Sequence, residues 1–160
     1  MRYGIGFQIY PRETGKKFHL GGIEIPAGYG LRGPGEADVL IHSLCDALSG
    51  ALALGSMNAL FLKNREDLEG ISFPTLLKQT YELIRQEGYE LHNLDAVIVL
   101  EQPNIQPYLK KIRQNIADIF WCDINQISVK ATITAGIDSL SQPGCVTALT
   151  IVSLRKRKGK

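Results

Sequence analysis

Residues 4 to 10 alternate Ile5, Phe7 and Ile9 with Gly4, Gly6, Gln8 and Tyr10. That is the two-residue period of a strand, so Gln8 and Tyr10 leave it side by side on the face away from the apolar row. Further on, Gly21-Gly22 separates Phe18 and Leu20 from Ile23 and Ile25, and paired glycines between short apolar runs predict a hairpin. A glycine-rich loop leads into "ADVLIHSLCDALSGALALG", a strong helix with Glu36 and Asp38 at its positive end and Gly55 as its stop. Ser72 and Pro74 open a second long helix whose stripe is Leu76, Leu77, Leu83 and Ile84 and whose close is Gly88. "LDAVIVLE" reads as a central strand, and Leu109, Ile112, Ile116 and Ile119 mark a third helix. "ISVKATIT" alternates apolar and polar positions, and "GCVTALTIVSL" is apolar on both faces, as befits burial between layers or subunits. The element order predicts an α+β two-layer sandwich, a mixed sheet with helices on one face.

Composition adds bounds to that picture. The chain has 160 residues, 44% of them hydrophobic, which suits one domain over residues 1–154 followed by a basic C-terminal tail at 155–160. Net charge is only +2, and six basic-rich terminal residues read as a solvated end, so neither nucleic acid nor a membrane is expected as a partner. Cys45, Cys122 and Cys145 are odd in number and form no C-x-x-C pair, which argues for a reducing compartment and against a disulfide framework. With no leader pattern and no run of about 18 apolar residues, the expected location is the cytoplasm, or the plastid stroma in a plastid-bearing organism.

Candidate chemistry gathers on the first long helix. His42, Asp46 and Ser49 recur at i, i+4 and i+7 as one polar stripe, a pattern suited to a metal ligand with a carboxylate orienting it, or to a locally paired core histidine. His42 and Cys45 stand at i, i+3. Lys130 and Thr132, on the polar face of "ISVKATIT", could meet phosphates, and "EQPN" at 101–104 leaves the central strand at a proline turn. No Walker loop, dinucleotide fingerprint or nucleophile elbow is present.

Taken together, "MRYGIGF", "LGGIEIP", "ADVLIHSLCDALSGALALG", "LDAVIVLEQP" and "ISVKATIT" resemble 2-C-methyl-D-erythritol 2,4-cyclodiphosphate synthase, in register from Met1 to about Leu154. The resemblance implies a homotrimer with active sites between subunits. There zinc and magnesium hold a cytidine diphosphate ester while its 2-phosphate attacks the β-phosphate and releases CMP.

The same resemblance exposes departures. The family's first strand carries Asp-x-His, two of three zinc ligands, and Gln8 and Tyr10 stand at those positions; the third ligand is retained as His42. Pro34-Gly35 replaces a His-Ser pair that binds the 2-phosphate end, and Ser56 replaces a ribose-binding aspartate. Lys63 stands for a lid aspartate, Ile133 for a threonine, Ala135 for a magnesium-binding glutamate, and Gln142 for an arginine facing the trimer cavity. Leu100, Pro103, Ile105, Ala131, Thr132 and Ile133 match the family's cytosine pocket, and Thr132 is the residual candidate catalytic residue.

From these departures the expected metal site is vestigial (Gln8, Tyr10, His42) and no cofactor is expected. The reading that follows is a non-catalytic homologue, binding, structural or regulatory, with a protein partner, a cytidine nucleotide or an isoprenoid phosphate as its ligand. The alternative is an active, CMP-releasing, metal-assisted synthase with a rearranged metal site at His42 and Cys45 or Tyr10.

Overall fold

The N-terminal alternation becomes β1 (Arg2–Glu13), the strand on which the rest of the fold is assembled. The computed structural model describes residues 1–61, 70–133 and 144–157. Lys63, Ala135 and Gln142, the loop containing the latter two, and the last three residues of the tail lie outside the described residues. After β1 come the hairpin β2 (Phe18–Leu20) and β3 (Ile23–Ile25), the short β4 (Gly30–Leu31), α1 (Val39–Ala51) and α2 (Met57–Phe61). Then follow α3 (Phe73–Gln86), β5 (Tyr89–Val99), α4 (Leu109–Phe120), β6 (Ile127–Thr132) and β7 (Cys145–Lys156).

The main sheet has the order β4-β1-β7-β5-β6, with β5 and β6 parallel and the other pairs antiparallel. Helix α1 packs on β1, β7 and α3, and α4 packs beside β6. The fold is thus the expected α+β sandwich, with a mixed sheet and its helices on one face. Leu40, Ile41, Leu44, Leu48, Leu77, Ile84, Leu94 and Ile116 are buried between the layers.

Two glycines set the separation of β1 and α1. A Cβ on Gly4 would stand 1.8 Å from the Ala47 carbonyl oxygen, and one on Gly6 1.9 Å from that of Ser43. Only a residue without a side chain permits this approach. It brings the even-numbered face of β1, and with it Gln8 and Tyr10, onto α1.

The apolar row of β1 has the opposite fate. Tyr3, Ile5, Phe7 and Ile9, with Ile151 of β7 opposite Ile5, are 44–68% exposed on the outer face of the sheet. The alternation was legible, but the buried side of this strand is the one carrying glycine and polar residues.

The hairpin forms as expected, with φ of +60° at Gly21 and +77° at Gly22. Asp38 caps α1 and also accepts hydrogen bonds from both glycine amides, 3.1 and 2.8 Å away, which fastens the hairpin to the helix. Ser72 caps α3 with Pro74 in its first turn. Helix α1 stops at Ala51 rather than near Gly55. The amides of Leu52, Ala53 and Leu54 turn back onto the carbonyls of Ser49 and Gly50, and Ala53 takes a φ of +60°. Strand β7 continues through Arg155 and Lys156, past the expected start of the tail, because it pairs with Glu90 and Tyr89 of a β5 that begins five residues before Leu94. No helix among the described residues is long and apolar enough to cross a membrane.

Candidate functional site

The polar stripe of α1 meets the inner face of β1 in two hydrogen bonds. Gln8 Nε2 donates to Asp46 Oδ2 at 2.6 Å, and the Tyr10 hydroxyl and His42 Nδ1 are 2.7 Å apart. The second oxygen of Asp46 accepts the Met57 amide at 2.7 Å, tying the start of α2 to the same carboxylate. His42 stacks edge-on with both Tyr10 and Phe73. Its side chain is 7% exposed; Nε2 is buried without a hydrogen-bond partner and lies 3.9 Å from Asp46 Oδ2.

Burial decides the protonation states. It pushes the Tyr10 phenol up to about 12, with Asp38 and Asp46 adding to the effect, so the phenol stays neutral. It lowers His42, partly opposed by Asp46, so the ring is neutral too. Cys45 is fully buried, with its thiol raised to about 12, and Thr80 is its hydrogen-bond partner. It is removed as a ligand beside His42. The hydroxyl of Ser49, third in the stripe, lies within hydrogen-bond reach of the carbonyls of Cys45, Asp46 and Gly55, the last nearest at 2.7 Å, and serves the helix end.

A second feature forms where β5 and β6 end. Residues 100–106 and 131–133 enclose a cleft of about 450 Å³, and Leu100, Pro103, Ile105, Ala131, Thr132 and Ile133 all line it. The Leu100 amide donates to the Thr132 carbonyl at 3.1 Å, fixing the two segments together, and the Gln102-Pro103 bond is cis. Tyr29 was not foreseen. Its hydroxyl donates to the Gln102 carbonyl while the Arg12 guanidinium sits 4.5 Å above its ring, linking the loop before α1 to the cleft. A tyrosine inside a glycine-rich loop gave no periodic signal. Lys130 does not face the cleft as a free cation; it pairs with Asp95 at 2.7 Å across the exposed face. Pro34 and Gly35 are exposed and carry no donor side chains.

The YgbB family model matches residues 1–155. The chain belongs to the YgbB family of cyclodiphosphate synthases. The 2-C-methyl-D-erythritol 2,4-cyclodiphosphate synthase of Carboxydothermus hydrogenoformans is 40% identical over 156 residues, 98% of this chain and 96% of that one. That of Alkaliphilus metalliredigens is 36% identical over 99% of this chain and all of its own length. A solved synthase in its CDP-bound form is 25% identical with a TM-score of 0.88, covering 96% of this chain and all of that one. The bifunctional IspDF of Campylobacter jejuni matches with a TM-score of 0.92 at 29% identity, and this chain spans 42% of it.

Membership in the YgbB family corrects one expectation. A chain 40% identical over 98% of its length to a cyclodiphosphate synthase is expected to share the metal-assisted chemistry of the group, so the reading that no cofactor is used is overturned. The three positions that the resemblance gives as zinc ligands do not, however, fit a zinc ion as they stand. Zinc favours several N, S or carboxylate donors. Gln8 offers a neutral amide already bonded to Asp46, Tyr10 a neutral phenol already bonded to His42 Nδ1, and only His42 Nε2 is available. Among the described residues, no group of three or more His, Cys, Asp and Glu is placed to hold a metal.

Proposed function

We propose that this chain binds a cytidine diphosphate ester in the cleft at the ends of β5 and β6 and acts as a CMP-releasing cyclodiphosphate synthase with a rearranged metal site. The observation that carries the reading is the cleft itself, about 450 Å³ and lined by all six residues that the resemblance assigns to a cytosine pocket. Recognition there depends on backbone groups at 100–105 and 131–133, which side-chain substitutions elsewhere leave in place. A synthase solved in its CDP-bound form shares the fold. Thr132, exposed at the mouth of the cleft, is the side-chain hydroxyl nearest to hand for orienting a phosphate.

The exposed row Tyr3, Ile5, Phe7, Ile9 and Ile151 supports assembly with further copies of the chain as a homotrimer, since a sheet face this apolar needs cover. A single copy leaves the row in water.

One observation favours a second reading, a non-catalytic binding, structural or regulatory homologue. Gln8 and Tyr10 give Asp46 Oδ2 and His42 Nδ1 hydrogen-bond partners without any metal. The test is incubation with the cytidine diphosphate ester of the family reaction, with zinc and magnesium present. CMP release supports the synthase reading, and nucleotide binding without release supports the second.

A further inference from the structure

We propose, building on cytidine binding in the cleft, that Arg12 binds the phosphates of a nucleotide held where β1, β5 and β6 end, and so selects a nucleotide over a bare nucleoside.

The topology brings Arg12 to the same edge of the sheet as the cleft. β1 and β5 each run antiparallel to β7, and β6 runs parallel to β5, so all three strands finish at one edge. Arg12 lies two residues beyond Tyr10 and leaves β1 on the same inner face. Its backbone is fixed on both sides, by pairing with Leu31 and by an amide that donates to the Gly144 carbonyl at 2.6 Å. The guanidinium carbon stands 4.5 Å from the centre of the Tyr29 ring, and the Tyr29 hydroxyl donates to the Gln102 carbonyl. Gln102 sits between Glu101 and Pro103, both of which line the cleft.

The charge on Arg12 is unanswered. Lys16 pairs with Glu13 and donates to the Gly33 carbonyl, Lys17 pairs with Glu24, and Lys130 pairs with Asp95. Arg12 is paired with no carboxylate among the described residues, and its Nε is buried with no hydrogen-bond partner. A buried donor on a charged group costs stability until an acceptor meets it. Contact with the face of an aromatic ring holds a guanidinium without using its N–H donors. Burial raises the Tyr29 phenol, with Arg12 opposing the shift, so the ring stays a neutral platform. The planar fork above it is left for an anion, and its parallel N–H donors match two oxygens of one phosphate.

The test is calorimetric titration of the chain with cytidine, CDP and inorganic pyrophosphate, in EDTA so that no metal bridges the phosphates. CDP is expected to bind at least about tenfold more tightly than cytidine. Arg12→Met, which keeps a stem over Tyr29 and removes the charge, erases that margin and leaves cytidine affinity unchanged. Arg12→Lys, a charge without the fork, recovers part of it. A role confined to holding Tyr29 would lower cytidine and CDP affinity alike. In the unaltered chain pyrophosphate weakens CDP binding and not cytidine binding, a result that needs no variant to fold. Equal affinity for cytidine and CDP in the unaltered chain, or equal losses for both in Arg12→Met, overturns the assignment. Pyrophosphate bound by the unaltered chain and lost in Arg12→Met, with no cytidine bound, leaves Arg12 as a phosphate ligand and removes the cleft reading alone.

Discussion

Gln8 Nε2 stands 2.6 Å from Asp46 Oδ2, so a side chain of β1 grips a carboxylate on α1. A hydrogen bond to a charged, largely buried group is among the stronger ones. Gln8→Leu removes the donor while keeping the bulk, and the chain should lose about 2 kcal/mol of stability. Urea denaturation followed by circular dichroism measures it; an unchanged midpoint would mean that the bond contributes nothing.

The close contact of β1 with α1 predicts a much larger loss at Gly6. A methyl group there would lie 1.9 Å from the Ser43 carbonyl oxygen, and backbone cannot give way as a flexible side chain would. Gly6→Ala should cost about 3 kcal/mol or more and separate Tyr10 from His42. Gly28→Ala, with nothing within 4 Å of the added carbon, is the control and should be nearly silent.

Tyr10 should titrate late. Its folded pKa of about 12 lies above the ordinary phenol value of 10.0, so the folded state holds the phenolic proton after the unfolded chain has lost it. The contribution to stability is therefore complete below about pH 10 and declines as pH rises toward 12. Absorbance at 295 nm should show one tyrosine ionising near pH 12, missing in Tyr10→Phe; full ionisation of every tyrosine by pH 11 would contradict this.

These residues also show how far the sequence could be read. The hairpin at Gly21-Gly22, the acidic start of α1 and the cap at Ser72 were legible because each rests on local backbone chemistry, whereas the capping role of Asp38 was not. So was the cleft, since a resemblance carries backbone positions even where side chains differ. The direction in which β1 faces was not. A two-residue period separates two faces without saying which is buried, and Gly4 and Gly6 pass for weak strand residues until the helix they admit is seen. The pairing of Gln8 with Asp46 and of Tyr10 with His42 lies across 38 and 32 residues, beyond any local pattern. The Lys130 to Asp95 ion pair was hidden for the same reason.

The outward row of β1 gives an assembly prediction. Light scattering should report a trimer for the unaltered chain, and Phe7→Glu, placing a carboxylate at the middle of the row, should shift it to smaller species without loss of helical signal. A monomer in the unaltered chain at micromolar concentration would remove the argument from the exposed face.

The most direct measurement of the account is CMP release. The chain at micromolar concentration, with Zn²⁺ and Mg²⁺, is incubated with the cytidine diphosphate ester of the cyclodiphosphate synthase reaction, and CMP is followed by chromatography. The account predicts CMP in proportion to protein, abolished by chelation and by His42→Ala. Cytidine nucleotide bound at the cleft with no CMP formed above background over hours would contradict it.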